Sequence, residues 1–459
     1  MSVFKACDIR GRYPDELDEP FYVRLGGAMG SLLRERSPAP AVLVGGDVRP
    51  STPGLRAALI DGLVATGCRV ADLGIVPTPV VYFAARRRQP HGLAIVTASH
   101  NPRGHNGLKL CLGPLPITPG ELARLEQAAE TQPCASGSGS VEPLSVESDY
   151  EAFLCGGAAA GEGLKLVLDC GNGGYSELAP RVLRRLGYRV VELFCTPDGT
   201  FPNRSPNPAV PEHLGALRRA VRDSGAALGV ALDGDGDRVA VVDDAGRSLT
   251  GDQAIILLAG HVLGAHAAGH KAVCDIKCSR AVLDAVEARG AQPLLERSGH
   301  AFIKTRMIRE HARFGGELSG HFFYRELDGG DDGLYTILRL GELARQAPTP
   351  LSALVDAMPR YAITPDIRVP YAAGDGAERL DQLAAAAEGK GDVLRLDGVR
   401  VAYPEGWALA RVSVTEPMLT FRFEAYASTP RALAERFLAP APDLRRLVLE
   451  RLDATETSC

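Results

Sequence analysis

The chain has no surplus of charge of one sign: 51 Lys and Arg face 56 Asp and Glu, a net charge of -5 over 459 residues. A general nucleic-acid binder needs a basic surface, so that class is set aside, while local basic pockets remain open. Zinc-finger spacing is also missing. Ten cysteines are present, and the nearest pair, Cys274 and Cys278, has three residues between. Cys7, Cys170 and Cys274 lie in or beside apolar runs, as buried free thiols commonly do, which points to a reducing cytoplasm. There is no long hydrophobic run; the longest, near 254–263, is too short to span a bilayer, and residues 1–8 carry no apolar signal core. Neither export nor a membrane is expected. Nor is the composition that of a disordered chain, with 45% hydrophobic and 23% charged residues.

What is present is a length too great for one core, predicting roughly three or four domains, and a unit that recurs. An apolar strand at 41–44 ends in Gly45-Gly46-Asp47, a helical pattern follows at 55–65, and further strands read at 69–73 and 92–96. The same order returns with strands at 164–169, 189–193 and 228–232 around a helix at 178–186. It returns again with strands at 271–275 and 292–295, a helix at 281–288 and a later segment at 313–321. Strands alternating with helices predict layered α/β domains with mixed or parallel sheets. The small-residue stretch 135–140 reads as a flexible linker, Ala347-Pro348-Thr349-Pro350 as a turn, and the part beyond 366 as a smaller α+β domain with helices at 378–387 and 431–437. The expected domains are 1–144, 145–248, 249–362 and 363–459.

Each repeat ends a strand in a loop of different chemistry. The first is Thr97-Ala98-Ser99-His100-Asn101-Pro102. Strand ends opening into polar loops are where open α/β sheets place their chemistry, which makes Ser99 a candidate nucleophile; an ordinary turn is the other reading. Arg10, Lys109 and His100 add positive charge near it, with His100 and Lys109 as candidate proton-transfer partners. The second loop carries Asp233, Asp235 and Asp237 with glycines between, able to turn three carboxylates to one point and suited to Mg²⁺. A calcium EF-hand would need glycine sixth and glutamate twelfth, where Arg238 and Asp244 stand. Arg238 suits either a phosphate or a salt bridge to a neighbouring Asp. In the third loop Glu317, Ser319 and His321 alternate; if extended, they point to one side and suit sugar hydroxyls. Lys277, Ser298, Gly299 and His300 either line the same cleft or are solvated loop residues. Near the end, Arg411, Ser413 and Thr415 form a candidate phosphate clasp or an edge strand.

These four motifs in this order, with Asp8-Ile9-Arg10-Gly11 at the start and Asp397-Gly398-Val399-Arg400-Val401 near the end, resemble the α-D-phosphohexomutase superfamily, most closely its bacterial phosphomannomutase/phosphoglucomutase branch. The resemblance covers essentially the whole chain. It implies a heart-shaped enzyme of four domains, three similar α/β domains with mixed sheets and a smaller C-terminal α+β domain closing over the cleft. It further implies that Ser99 rests as a phosphoserine and that Mg²⁺ is held by Asp233, Asp235, Asp237 and the Ser99 phosphate. Glu317, Ser319 and His321 would bind the sugar, and Arg411, Ser413 and Thr415 the phosphate that is not reacting. The implied reaction interconverts hexose 1- and 6-phosphates through a hexose 1,6-bisphosphate, which also serves as activator, in a cytoplasmic monomer or weak homo-oligomer. Two departures stand out: Cys7 replaces the usual aromatic of the opening motif, and Val414 the usual Asn of the last. A phosphoglucosamine-type mutase is the near alternative, against which Leu318 speaks, since that branch tends to have Gln there. A catalytically silent phosphosugar binder is the more distant one.

Overall fold

Four sheets are built from the short apolar runs of the sequence. The computed structural model describes residues 2–131, 134–371, 375–412 and 418–456. The first sheet has six strands, in the order Ile9–Arg12, His105–Cys111, Gly92–Val96, Ala41–Gly46, Arg69–Ile75 and Ser140–Pro143. The second runs Val239–Asp243, Leu228–Leu232, Lys165–Asp169, Arg189–Leu193. The third runs Gln292–Glu296, Lys271–Asp275, Phe314–Gly316, Phe322–Tyr324, Gly330–Asp331.

The repeat read in the sequence is a repeat of topology. In each of these sheets the first strand of the unit is central, with the second parallel on one side and the third parallel on the other. A fourth strand then returns antiparallel to the third. Gly92–Val96 and Leu228–Leu232 are buried at every position, as interior strands covered on both faces must be. Ser99, the aspartate loop and Glu317 to His321 all occupy the same connection, between the third strand and its antiparallel successor. Strand order reverses about the central strand there, which is where open sheets form their crevices.

The fourth sheet is antiparallel throughout: Asp392–Leu394, Val399–Tyr403, Gly406–Val412 and Met418–Ala425, with Ala362–Ile363 and Ile367–Pro370 both on the outer side of the last. Helices Gly376–Ala387, Pro430–Phe437 and Pro442–Glu456 complete this domain. One apolar cluster runs continuously through the first three domains, whereas the fourth has its own, joined to the third by a small patch of Ile276, Trp407 and Leu409. No helix among the described residues is long and apolar enough to cross a membrane.

Two expectations are corrected. Residues 135–140 are not a flexible linker: the Gly137 and Gly139 amides donate to Ala65 O and Val64 O, Arg34 Nη1 donates to Ser136 O, and the segment leads into the edge strand Ser140–Pro143. Small residues are needed for close approach rather than freedom, since a Cβ on Gly139 would lie 2.1 Å from Cys68 O. Residues 317–321 are not extended either. Gly320, at φ +96°, closes a turn in which its amide donates to Glu317 O and the Glu317 amide to His321 O.

Candidate active site

The strand Gly92–Val96 delivers Ser99 in a left-handed conformation, φ 48°, a strained state for a non-glycine residue that surrounding contacts have to enforce. They do so from two directions. Thr97 Oγ1 accepts the Ser99 amide at 2.8 Å and donates to Asp47 Oδ2 at 2.7 Å. Arg49, fully buried, pairs with Asp47 at 3.1 Å and gives its guanidinium to the carbonyls of Ser99, Asn101, Pro102 and His105. Asp47 and Arg49 follow the end of the central strand Ala41–Gly46. In the sequence Asp47 reads only as a strand end and Arg49 not at all, although the polar strand end that singles out Ser99 is present there too.

Held this way, Ser99 Oγ donates to Asp233 Oδ2 at 2.7 Å, and His100 Nδ1 lies 3.4 Å from Ser99 Oγ. Gly234 permits the approach, since a Cβ there would stand 2.7 Å from Ser99 O. The strand His105–Cys111, antiparallel to Gly92–Val96, carries Lys109, whose Nζ donates to Asp235 Oδ2 at 2.7 Å and to Asp237 Oδ2. Thr78, at the start of the helix Thr78–Arg88, donates to Asp235 Oδ2 at 2.7 Å.

The electrostatics suit a cation. Asp233, Asp235 and Asp237 are buried and offer oxygens within 4.8 Å of one another. Burial and the two neighbouring carboxylates push Asp233 up to about 8. Asp235 is held well below the usual range, because Lys109 and Thr78 outweigh its burial. Lys109 uses the Oδ2 oxygens; Oδ1 of Asp235 and of Asp237 has no hydrogen-bond partner among the described residues. Orphaned buried carboxylate oxygens and a carboxyl pushed up by like charge are the signature of a hard-cation site, so the residues fit a divalent metal.

Arg238 joins the second and third domains. Its Nε donates to His321 Nε2 at 2.8 Å, its backbone bridges to His321, and it lies 4.0 Å from Asp233. Because Nε2 accepts, the ring proton sits on Nδ1, which is 2.6 Å from Asp331 Oδ2. Asp331, from the short strand Gly330–Asp331, is a further residue missed from sequence; its signal is an Asp pair after two glycines. The His300 ring lies tilted by 31° with its centre 5.7 Å from that of His321, and its Nε2 is 3.8 Å from Cys7 Sγ. It begins the helix His300–Arg309 rather than lying in a loop. Arg10 is held by Asp8 at 2.8 Å and donates to Thr97 O.

The structure therefore brings Ser99, His100, Lys109, Arg10, Arg238, His300, His321 and the three aspartates into one centre. Glu317 is buried in the turn that ends at His321. Lys277 and Ser319 line an adjoining cavity of about 300 Å³ with Asp252, Asp366 and Arg422, between the third and fourth domains. Arg411 is spent on an ion pair with Asp397 at 3.0 Å and touches none of the central group. Ser413, Val414 and Thr415 lie outside the described residues.

Comparison with known proteins agrees with this geometry. The family descriptions Phosphoglucomutase/phosphomannomutase, alpha/beta/alpha domains I, II and III match residues 1–134, 148–246 and 250–361. A phosphomannomutase/phosphoglucomutase of Pseudomonas aeruginosa is 38% identical over 426 residues, 92% of each chain. A phosphoglucomutase of Neisseria gonorrhoeae is 34% identical over 429 residues, 92% of this chain and 93% of its own. The crystal structure of a phosphoglucomutase/phosphomannomutase family protein from Burkholderia thailandensis superposes with a TM-score of 0.87 at 38% identity, covering 97% of this chain and 96% of that one. The chain belongs to the phosphoglucomutase/phosphomannomutase family of the α-D-phosphohexomutase superfamily, and is a hexose phosphate mutase.

Proposed function

We propose that the protein interconverts hexose 1- and 6-phosphates, of mannose and/or glucose, through a phosphorylated Ser99 and a hexose 1,6-bisphosphate. The observation that carries this reading is the 2.7 Å contact of Ser99 Oγ with Asp233, made where equivalent loops of two domains meet. Asp233, Asp235 and Asp237, with a phosphate oxygen on Ser99, would hold Mg²⁺, which neutralises phosphoryl charge when bound. Positioning and charge neutralisation carry most of such a transfer. The P–Oγ bond of phosphorylated Ser99 breaks as the sugar's free hydroxyl forms the new P–O bond, and the hydroxyl proton passes by way of His100 to Ser99 Oγ.

His100 is placed for that task by the 3.4 Å between its Nδ1 and Ser99 Oγ; Arg238 and then burial hold its ring well below the usual histidine range, so it rests neutral. Lys109 does not suit it: burial lowers its affinity for a proton, but Asp235 and Asp237 outweigh burial and keep it charged. Its part is to neutralise charge. Arg10 and Arg238 ring the transferring group, while Glu317, Ser319 and the His321 Nε2 that Arg238 gives up on turning to the phosphate meet sugar hydroxyls. Arg411, Ser413, Thr415 and Lys277 take the distal phosphate, Arg411 exchanging Asp397 for it. The walls of this cleft follow the division 1–144, 145–248, 249–362 and 363–459. The nine described cysteines are all unpaired, which supports a reducing cytoplasm as the working compartment.

The test is Ser99→Ala, assayed for isomerisation of glucose 1-phosphate and mannose 1-phosphate with the bisphosphate as activator. Activity is expected to fall by roughly a thousandfold or more, and the phosphate carried by the purified wild-type protein to be absent by mass spectrometry. A fully active variant overturns the reading.

A further inference from the structure

One turn along the helix His300–Arg309 from the active centre, the first and third domains line a second and larger space. Its volume is about 730 Å³, within the range of roughly 300–1,000 Å³ of small-molecule sites, which concentrate at domain interfaces. One wall is the helix Thr78–Arg88 with the loop 113–115; the other is the helix His300–Arg309 with residues 325–329. None of Ser99, Asp233, Asp235 or Asp237 lines it.

The lining is mostly apolar, with Tyr82, Leu115 and Met307 prominent, and its charges are of one sign apart from Asp328. Lys304 is the central cation. Its Nζ sits 3.6 Å from the centre of the Tyr82 ring, and no carboxylate oxygen of the described residues comes within ion-pair distance of it. Burial lowers its proton affinity, an effect Asp331 and Cys111 do not offset. Arg86 and Arg325 add charge at the rim; each spends a nitrogen on a backbone carbonyl, Glu326 O at 2.9 Å and His311 O, and keeps further donors. An ammonium resting on an aromatic ring without a counter-ion, in a largely apolar chamber, is a site in want of an anion.

We infer that this chamber binds a small amphipathic anion, an apolar body bearing one carboxylate, sulfonate or phosphate group, with the anion on Lys304. Lys304 lies one turn from His300 on the same helix, and the His300 ring lies 5.7 Å from that of His321 in the active centre. An occupant that repositions Lys304 therefore acts on the same rigid element that presents His300.

The probe is 1-anilinonaphthalene-8-sulfonate, whose enhanced fluorescence reports transfer to an apolar site. It is titrated into the wild-type protein, Lys304→Met and Ala85→Phe, the last filling the chamber from the wall of the helix Thr78–Arg88. The wild type is expected to bind the dye saturably. Lys304→Met should weaken binding roughly tenfold, the loss of one charge-assisted contact, and Ala85→Phe should abolish it. Saturating glucose 1-phosphate should leave the dye in place. Equal affinity in the wild type and a natively folded variant of either kind, or displacement of the dye by glucose 1-phosphate, overturns the inference.

Discussion

At the scale of single residues, Ser99 is held by groups that take no part in the proposed phosphoryl transfer. Arg49 satisfies four carbonyls of the serine loop from a fully buried position and rests over the Phe201 ring at 5.0 Å. Lysine keeps the charge but not the planar fork of donors. Arg49→Lys is expected to cost on the order of 3 kcal/mol of stability through unsatisfied carbonyls, and to lower kcat more than it raises KM, because Ser99 then relaxes from its left-handed conformation. Chemical denaturation and steady-state kinetics read the two effects, and an unchanged kcat would refute the second. Asp332 gives a pH dependence. It accepts from Tyr150 at 2.6 Å, Tyr175 at 3.0 Å and the Tyr335 amide at 3.0 Å, and burial raises it from 3.8 to about 6. The folded state thus holds this proton more tightly than the unfolded one. Its stabilising effect is complete below about pH 4 and is lost as pH rises through 6, a change of about 3 kcal/mol. Asp332→Asn, which cannot titrate, should gain on the wild type by about that amount between pH 4 and pH 7; unfolding free energies that stay parallel across the range would show Asp332 to be ionised throughout.

At the scale of elements, what was legible in the sequence was whatever repeats or alternates. The strands at 92–96, 189–193, 228–232 and 271–275 are found where the apolar runs stand, and the three loops after third strands fall in equivalent places. What escaped depends on partners distant in sequence. The helix Glu19–Arg34 is anchored by Asp18 capping the Phe21 amide and packs against Thr52–Ala65, neither of which a periodicity reveals. Lys109 was read near Ser99, but its pairing with Asp235 and Asp237 follows from strand register, and Asp331 reaches His321 only because two hairpins lie side by side. The stretch 135–140 shows the opposite error, since small residues serve flexible linkers and tight packing alike. Gly139→Ala decides between them here. With a Cβ placed 2.1 Å from Cys68 O, the strand Ser140–Pro143 should detach and become cleavable by protease near 135–145; a linker would tolerate the change with no new cleavage.

At the scale of the molecule, the asymmetry of the cores sets what moves. The first three domains share one continuous apolar cluster, so relative motion among them would expose buried surface, whereas the fourth touches the third through a patch of three buried apolar residues. Beside that patch, where Arg422–Asp252 at 3.5 Å and Lys277–Asp366 at 3.8 Å also cross, one buried carboxylate gathers several donors. Glu424, fully buried, accepts from Trp407 Nε1 at 2.6 Å, from the Arg280 amide at 2.7 Å and from Ser279 Oγ. Ser279 caps the helix Arg280–Glu287, so the bond ties the fourth sheet to the third domain at a helix start, where an acid is favoured. Trp407 is the only tryptophan of the chain, and its emission therefore reports this junction alone. Glu424→Ala strands three donors at the junction and should cost about 3 kcal/mol or more, shift the emission to longer wavelength as the indole gains solvent, and raise KM for the phosphosugar more than it lowers kcat, since the proposed phosphoryl transfer uses residues of the first three domains and the proposed distal-phosphate capture those of the fourth. Emission and KM both unchanged in the variant would mean that the fourth domain is held by something other than this carboxylate.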